Sequence, residues 1–109
     1  MSWKVRFFQT NRGSYPVKEF TEKQDLTTAA KITHSIELLE SYGPFLKPPY
    51  IKKIQARLYE LRISGKVAIR IFYTIFNNEF FLLSAFKKKS HKTPIKELKT
   101  ALDRMSEII

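Results

Sequence analysis

The chain has 109 residues, 43% of them hydrophobic, and its 20 Lys and Arg against 10 Asp and Glu give a formal net charge of +10. It has no cysteine and two histidines, which excludes disulfides and thiolate metal sites, so we expect neither metal-dependent chemistry nor a cofactor. Residues 80–86, the longest apolar run, are too few to cross a bilayer, and residues 1–6 lack a signal-peptide core. We therefore expect one cytoplasmic domain over residues 1–109, with no membrane association, whose charge attracts nucleic acid or an acidic protein.

The first half of the chain predicts a short strand followed by two helices. Residues 4–9 (KVRFFQ) have the β-branched and aromatic content of a strand. Pro16 suits the first position of a short helix that is expected to end near residue 24. Asp25 is placed to cap a second helix, whose apolar residues recur at helical spacing until Gly43 ends it.

The second half predicts a loop, three strands and a final helix. Three prolines within residues 43–54 forbid a regular helix, so a basic and mostly extended loop is expected there. Three β-rich runs follow, separated by Ser-Gly-Lys and Asn-Asn turns, over residues 57–63, 67–76 and 79–86. Thr93 as cap and Pro94 at the first position announce a helix with a narrow apolar stripe, formed by Ile95, Leu98, Leu102, Met105 and Ile109. This order indicates an α+β fold: an antiparallel-rich sheet with two N-terminal helices and a C-terminal helix.

Strand register predicts that two arginines share one face of the sheet. A three-residue hairpin loop after Ile63 pairs Ile63 with Val67. Because side chains alternate along a strand, Arg62 and Arg70 then lie on the opposite face, with Glu60 directly across from Arg70. The alternative to a functional role is a simple cross-strand ion pair between this glutamate and Arg70.

The next turn predicts a third cation on the same face. If Asn77 and Asn78 form a type I′ turn, Arg70 pairs with Ala85 and Lys87 joins the arginine face. A single ion pair cannot neutralise three cations. The excess positive charge is what a phosphate group would seek.

Further lysines extend this predicted patch along the chain. The candidates for RNA binding are Lys47, Lys52 and Lys53 in the basic loop and Lys88, Lys89 and Lys92 after the last strand. A run of lysines is also compatible with an ordinary solvated surface, and the aromatic rings beside them with core packing.

Cleavage of RNA is the chemistry that these residues fit. RNA carries its own nucleophile, the 2′-hydroxyl, so a ribonuclease must position it, stabilise charge at phosphorus and move two protons. Arg62 and Arg70 are the candidates for charge stabilisation, and His91 is the candidate for proton transfer, with Lys87 as a further catalytic candidate. Paired carboxylates and a glycine-rich phosphate loop are missing from the sequence.

Five segments carry a resemblance to a known family through their order and spacing. They are GSYPVKEF (13–20), IELLESYGPFLKPPYIKKI (36–54), LYELR (58–62), RIFY (70–73) and FKKKSHKTP (86–94). Over most of its length the sequence thus resembles the RelE-superfamily toxins, and within them the HigB or phage-derived Gp49-like branch.

The resemblance implies a compact RelE-like microbial ribonuclease fold and the activity of a toxin from a type II toxin-antitoxin system. Such a toxin is a ribosome-dependent mRNA endoribonuclease, held in a hetero-oligomer by a helix-turn-helix, HigA-like antitoxin. Arg70 matches a family position that contributes to catalysis, and Arg62 lies in a matching basic strand. Related toxins often place a tyrosine near the last strand or final helix, whereas this chain has none after Tyr73, which leaves the proton-transferring residue open.

Two other functions compete with the toxin interpretation. A non-catalytic basic RNA- or ribosome-binding module would lose affinity steeply with salt and produce no cleaved ends. A DNA-binding regulator is disfavoured, because no predicted helix carries base-reading side chains in helix-turn-helix order. The apolar stripe of the final helix is compatible with core packing and also with an antitoxin interface.

Overall fold

The computed structural model describes residues 2–109. It contains five strands, three α-helices and one 3-10 turn. In chain order these are β1 (Lys4–Phe7), α1 (Pro16–Glu22), α2 (Leu26–Tyr42), the 3-10 turn (Gly43–Phe45), β2 (Ile51–Gln55), β3 (Leu58–Ile63), β4 (Ile69–Phe76), β5 (Glu79–Lys87) and α3 (Ile95–Ser106).

The strands form one sheet in the order β1-β5-β4-β3-β2. β1 pairs with β5 in parallel, and the other three pairings are antiparallel. Two helices precede the last four strands and one follows them, which confirms the predicted α+β fold.

β2 lies in the segment that was predicted to be a loop, and that part of the prediction is wrong. Ile51 pairs with Leu61 and Lys52 with Glu60, so the segment adds an edge strand to the meander. All three prolines of the segment precede Ile51, so none of them removes a hydrogen-bond donor from the strand.

The ends of α2 follow the sequence signals. The carboxylate of Asp25 accepts a hydrogen bond of 2.7 Å from the backbone N–H of Thr28, which is the predicted N-cap. Gly43 ends the helix with a φ of 53° and lies against the ring of Trp3. Only glycine suits this position, because it needs both a positive φ and room for the indole.

The start of α3 differs from the prediction. Pro94, rather than Thr93, is the N-cap residue, and no side chain caps the helix. Leu98, Leu102 and Met105 of the predicted stripe pack against the sheet, whereas Ile95 is 83% exposed and Ile109, beyond the end of α3, is 39% exposed. Within residues 2–109, no helix has both the length and the apolar composition needed to span a membrane.

The sheet is packed on both faces. The first core lies between the sheet and the α1–α2 pair and consists of Val17, Ile32, Leu39, Leu46, Leu61, Ile63, Ile69, Ile71, Tyr73, Phe80 and Leu82. The second core lies under α3 and consists of Phe8, Leu58, Phe72, Leu83, Phe86 and Ala101. Alternation along β3 and β4 therefore determines which side chains face each helix layer.

Candidate functional site

The two strand arginines lie side by side on the second-core face of the sheet. Arg62 on β3 pairs directly with Arg70 on β4, and Glu60 pairs with Phe72. The hairpin loop is longer than predicted, because Ile63 pairs with Ile69 and not with Val67. The slip is two residues, so every side chain keeps its predicted face and only its cross-strand partner changes.

Glu60 lies between the two guanidinium groups, although it is not directly opposite Arg70 as predicted. Its Oε1 is 3.6 Å from Nε of Arg62 and 3.8 Å from Nε of Arg70. Both distances are within ion-pair range but too long for hydrogen bonds. We call Glu60, Arg62 and Arg70 the arginine cluster. It carries one more positive than negative charge, and its guanidinium N–H donors are not used up by the carboxylate.

Arg70 is the more deeply placed of the two arginines, with 8% of its surface exposed. Its Nη1 donates to the carbonyl of Ile69 at 2.9 Å, whereas its buried Nε has no hydrogen-bond acceptor among residues 2–109. Burial lowers the pKa of Arg70, and the neighbouring Arg62 lowers it further, while Glu60 opposes the shift. A second anion beside this guanidinium would therefore be stabilised.

The prediction that Lys87 shares the arginine face is wrong. Asn77 and Asn78 do form the expected turn, with φ of 51° and 63°. A β-bulge then shifts the register of β5, so that Arg70 pairs with Phe86 instead of Ala85, and Lys87 pairs with Ile69 of the first core.

The bulge leaves Leu83 without a partner on β4, because Phe72 pairs with Ser84 and Tyr73 with Leu82. The guanidinium of Arg104 on α3 donates to the carbonyl of Leu83 at 2.7 Å. This hydrogen bond connects α3 to the bulge. The bulge in turn determines which face of the sheet each later residue of β5 occupies.

Of the lysines predicted in the basic loop, one lies beside the arginine cluster. Lys52 pairs with Glu60 across β2 and β3, and its side chain is exposed. Lys53 pairs with Tyr59 and therefore points to the opposite face. Lys47 is exposed in the loop between the 3-10 turn and β2, near Tyr42 and Tyr50.

The remaining predicted residues follow β5. The backbone N–H of Lys88 donates to the carbonyl of Ala68, so the ladder extends one residue further and alternation carries the half-buried Lys88 to the arginine face. Lys89, His91 and Lys92 are exposed in the segment before α3. The structure thus gathers the arginine cluster, Lys52 and Lys88 on one face.

Two contributors to the site were missed or underestimated from the sequence. Glu60 was considered only as a partner of Arg70, whereas it lies between both arginines. No feature of the sequence near Arg104 indicates that its side chain contacts β5. The bulge that it contacts is equally hidden, because the apolar run FFLLSAF does not alternate and so gives no register.

Metal-binding side chains do not gather at this site or elsewhere in the described chain. Among residues 2–109, no group of three or more His, Cys, Asp or Glu side chains is placed to hold a metal ion.

Comparison with known proteins gives one family. A family model described as phage-derived protein Gp49-like (DUF891) matches residues 19–106. The match includes every residue of the arginine cluster as well as Lys52, Lys88 and His91. No curated protein matches the chain significantly.

Proposed function

This chain belongs to the Gp49-like family, a family of HigB/RelE-like toxins, and on that premise we propose that it is a ribosome-dependent mRNA endoribonuclease. It would inhibit translation by metal-independent cleavage of mRNA. We further propose that it acts in the cytoplasm and that a helix-turn-helix, HigA-like antitoxin neutralises it in a hetero-oligomeric complex.

The observation that carries this proposal is the pairing of Arg62 with Arg70 on a sheet face. Two guanidinium groups around one carboxylate leave a positive surplus, and Lys52 adds to it from the neighbouring strand. Guanidinium groups bind phosphate oxygens through charge-assisted hydrogen bonds. Such a site suits the phosphodiester of an RNA strand.

The chemistry divides between the enzyme and the substrate. The 2′-hydroxyl of the RNA loses its proton and attacks the adjacent phosphorus, and negative charge develops on the phosphorane oxygens. The P–O5′ bond then breaks, the 5′-oxygen leaves with a proton, and a 2′,3′-cyclic phosphate remains on the upstream fragment. Arg70, held by the Ile69 carbonyl and by the electrostatic attraction of Glu60, would stabilise that charge together with Arg62. The ribosome would contribute alignment of the mRNA strand.

Proton transfer is assigned to His91. It is exposed in the segment after β5, and an imidazole ring can accept a proton at one nitrogen and donate one from the other. Lys88 is the lysine that alternation brings to this face, whereas Lys87 lies on the other. We therefore transfer the auxiliary role considered for Lys87 to Lys88.

Primer extension on a defined mRNA tests the proposal, with purified protein and with or without translating ribosomes. We expect new in-frame 5′ ends only with ribosomes, and a roughly 100- to 1000-fold lower cleavage rate in Arg70→Ala, the cost of removing one charge-stabilising donor. His91→Ala in the same assay tests the proton role, since an unchanged rate would exclude it. Salt-sensitive RNA binding without any cleaved ends would instead favour a non-catalytic RNA- or ribosome-binding module.

A further inference from the structure

An apolar groove runs along α2, on the side of the sheet away from the arginine cluster's open face. Between α2 and the region where β2 begins and β3 ends lies a cavity of about 860 Å³. Leu26, Ala30 and Leu38 line it from the helix, Tyr50 from the residue before β2, and Ile63 from the end of β3. Leu26 is 90% exposed, although it is a large hydrophobic side chain at the start of a helix.

The groove continues past the C-terminal end of α2. A second cavity of about 270 Å³ shares Leu38 and Tyr50 with the first and is also lined by Tyr42 and Phe45. Phe45 is 69% exposed. We call the two cavities together the α2 groove. It follows the length of α2, whose 17 residues span about 25 Å. A patch of this extent and composition is typical of a protein interaction surface.

The charged side chains that line the α2 groove are all of one sign. Lys31 and Arg62 line the larger cavity and Lys47 the smaller one, and neither lining includes an Asp or Glu among residues 2–109. The whole chain carries a net charge of +10. A second copy of the chain would be repelled by this charge, whereas an acidic partner would be attracted.

We propose that the α2 groove docks an acidic amphipathic helix of a partner protein. An apolar stripe on that helix would contact Leu26, Leu38 and Tyr50, and carboxylates along its flanks would pair with Lys31 and Lys47. The inference rests on the proposed function, because this partner would be the antitoxin. Arg62 borders the larger cavity and also belongs to the arginine cluster, so the α2 groove and the arginine cluster adjoin at this residue.

A designed peptide tests this surface without any RNA. The probe is a fluorescein-labelled helical peptide of about 20 residues, with leucines on one face and glutamates on the other. Its binding to the full chain is measured by fluorescence anisotropy. A peptide of the same composition with the leucines scattered around the helix is the first control, and a peptide with lysine in place of glutamate is the second.

Two matched variants identify the surface. Leu26 and Ile95 are both exposed hydrophobic residues at the first position of a helix, but only Leu26 lies in the α2 groove. We expect Leu26→Glu to weaken binding at least about tenfold, since burying one leucine contributes that factor or more. Ile95→Glu adds the same charge at the same kind of position and should bind as wild type does.

Amide chemical shifts of the complex supply the second readout, and circular dichroism verifies that the variants fold. Changes centred on Ala30, Leu38 and Tyr50 support the proposal. It is overturned if the acidic amphipathic peptide does not bind, if Leu26→Glu and Ile95→Glu behave alike, or if the shift changes centre on Lys52 and Arg70 instead of the α2 groove. None of these readouts depends on cleavage, so their failure is distinguishable from failure of the ribonuclease proposal.

Discussion

The two faces of β3 and β4 belong to the same strands but are built differently. Under α2, the side chains of Leu61, Ile63, Ile69 and Ile71 are buried and apolar. On the other face Leu58 and Phe72 are buried under α3, whereas the arginine cluster continues the same strands with charged side chains. The change from apolar to charged occurs within one face.

The extent of the covering helices explains this difference. α3 has 12 residues, about 18 Å, and packs on β4 and β5. The longer α2 lies over the other face and makes the first core. The first core holds the sheet together, so the other face can carry charged groups where these are paired with one another. The following substitutions test that separation of stability from function.

Substitution of two adjacent residues on β4 gives the largest contrast. Ile71→Ala empties part of the first core and should lower the free energy of unfolding by about 2–5 kcal/mol. Arg70→Met should change it by less than about 1.5 kcal/mol, because a chain of similar length replaces a guanidinium whose buried Nε has no acceptor. The one hydrogen bond lost is that from Nη1 to the Ile69 carbonyl, and Glu60 keeps Arg62 as its partner. Urea unfolding followed by circular dichroism measures both. An equal loss in the two variants would mean that Arg70 is mainly structural.

Removing the charge of Glu60 should lower the free energy of unfolding more than removing the charge of Arg70. Glu60→Gln keeps the size of the side chain but leaves two guanidinium groups on directly paired residues. We expect a loss of about 1–3 kcal/mol in the free energy of unfolding, the cost of leaving a buried group unsatisfied. The same substitution in an Arg70→Met background should cost less, since only one cation remains. A loss of the same size in both backgrounds would show that Glu60 does not couple to Arg70.

A smaller effect distinguishes the two faces of β2. Lys52 lies beside the arginine cluster and Lys53 on the other face, with equal charge and similar exposure. In filter binding of a single-stranded RNA oligonucleotide, Lys52→Ala should make the slope of log affinity against log salt shallower by about 0.7, the value of one lost phosphate contact. Lys53→Ala should change the slope less. The reverse order would place the RNA on the α2 side.

The face of the two arginines could be predicted from the sequence, but their partners could not. Because side chains alternate along a strand, the register determines the face on which each one lies. The observed register of β3 and β4 differs from the predicted one by two residues, which leaves Arg62 and Arg70 on the same face. A slip of one residue would have reversed it. The bulge at Leu83 is such a one-residue change, and it moved Lys87 and Ala85 to the first-core side.

β2 and the position of Glu60 were also beyond sequence reasoning. The prolines of the segment from Gly43 favoured a loop, although the short strand β2 follows them. This strand forms through its pairing with β3, which a reading of local sequence does not reveal. The position of Glu60 depends on two cross-strand registers at once. Turn and cap signals, by contrast, act within a few residues, which is why Asp25 and the Asn77–Asn78 turn were predicted correctly.

Substitution of Lys87, which the bulge places on the face away from the arginines, should have the smallest effect of those predicted. It tests whether the bulge is present. The hydrogen bond from Thr28 lowers the pKa of Asp25 below its ordinary value of 3.8, and Lys66 and Lys87 add to the shift by their charges. Lys87→Ala should therefore raise the pKa of Asp25, measured by carboxyl NMR titration. Lys88→Ala, its neighbour on the arginine face, should change that pKa less.

Because the pKa of Asp25 is lower in the folded than in the unfolded chain, its ionised form stabilises the fold above the unfolded pKa. That stabilisation is lost as the pH falls through the folded pKa. That loss begins at a higher pH in Lys87→Ala, because the pKa of Asp25 in the folded chain is higher there. If Lys88→Ala raised the pKa of Asp25 and Lys87→Ala did not, the bulge at Leu83 would be contradicted, and Lys87 would lie on the same face as Arg62 and Arg70.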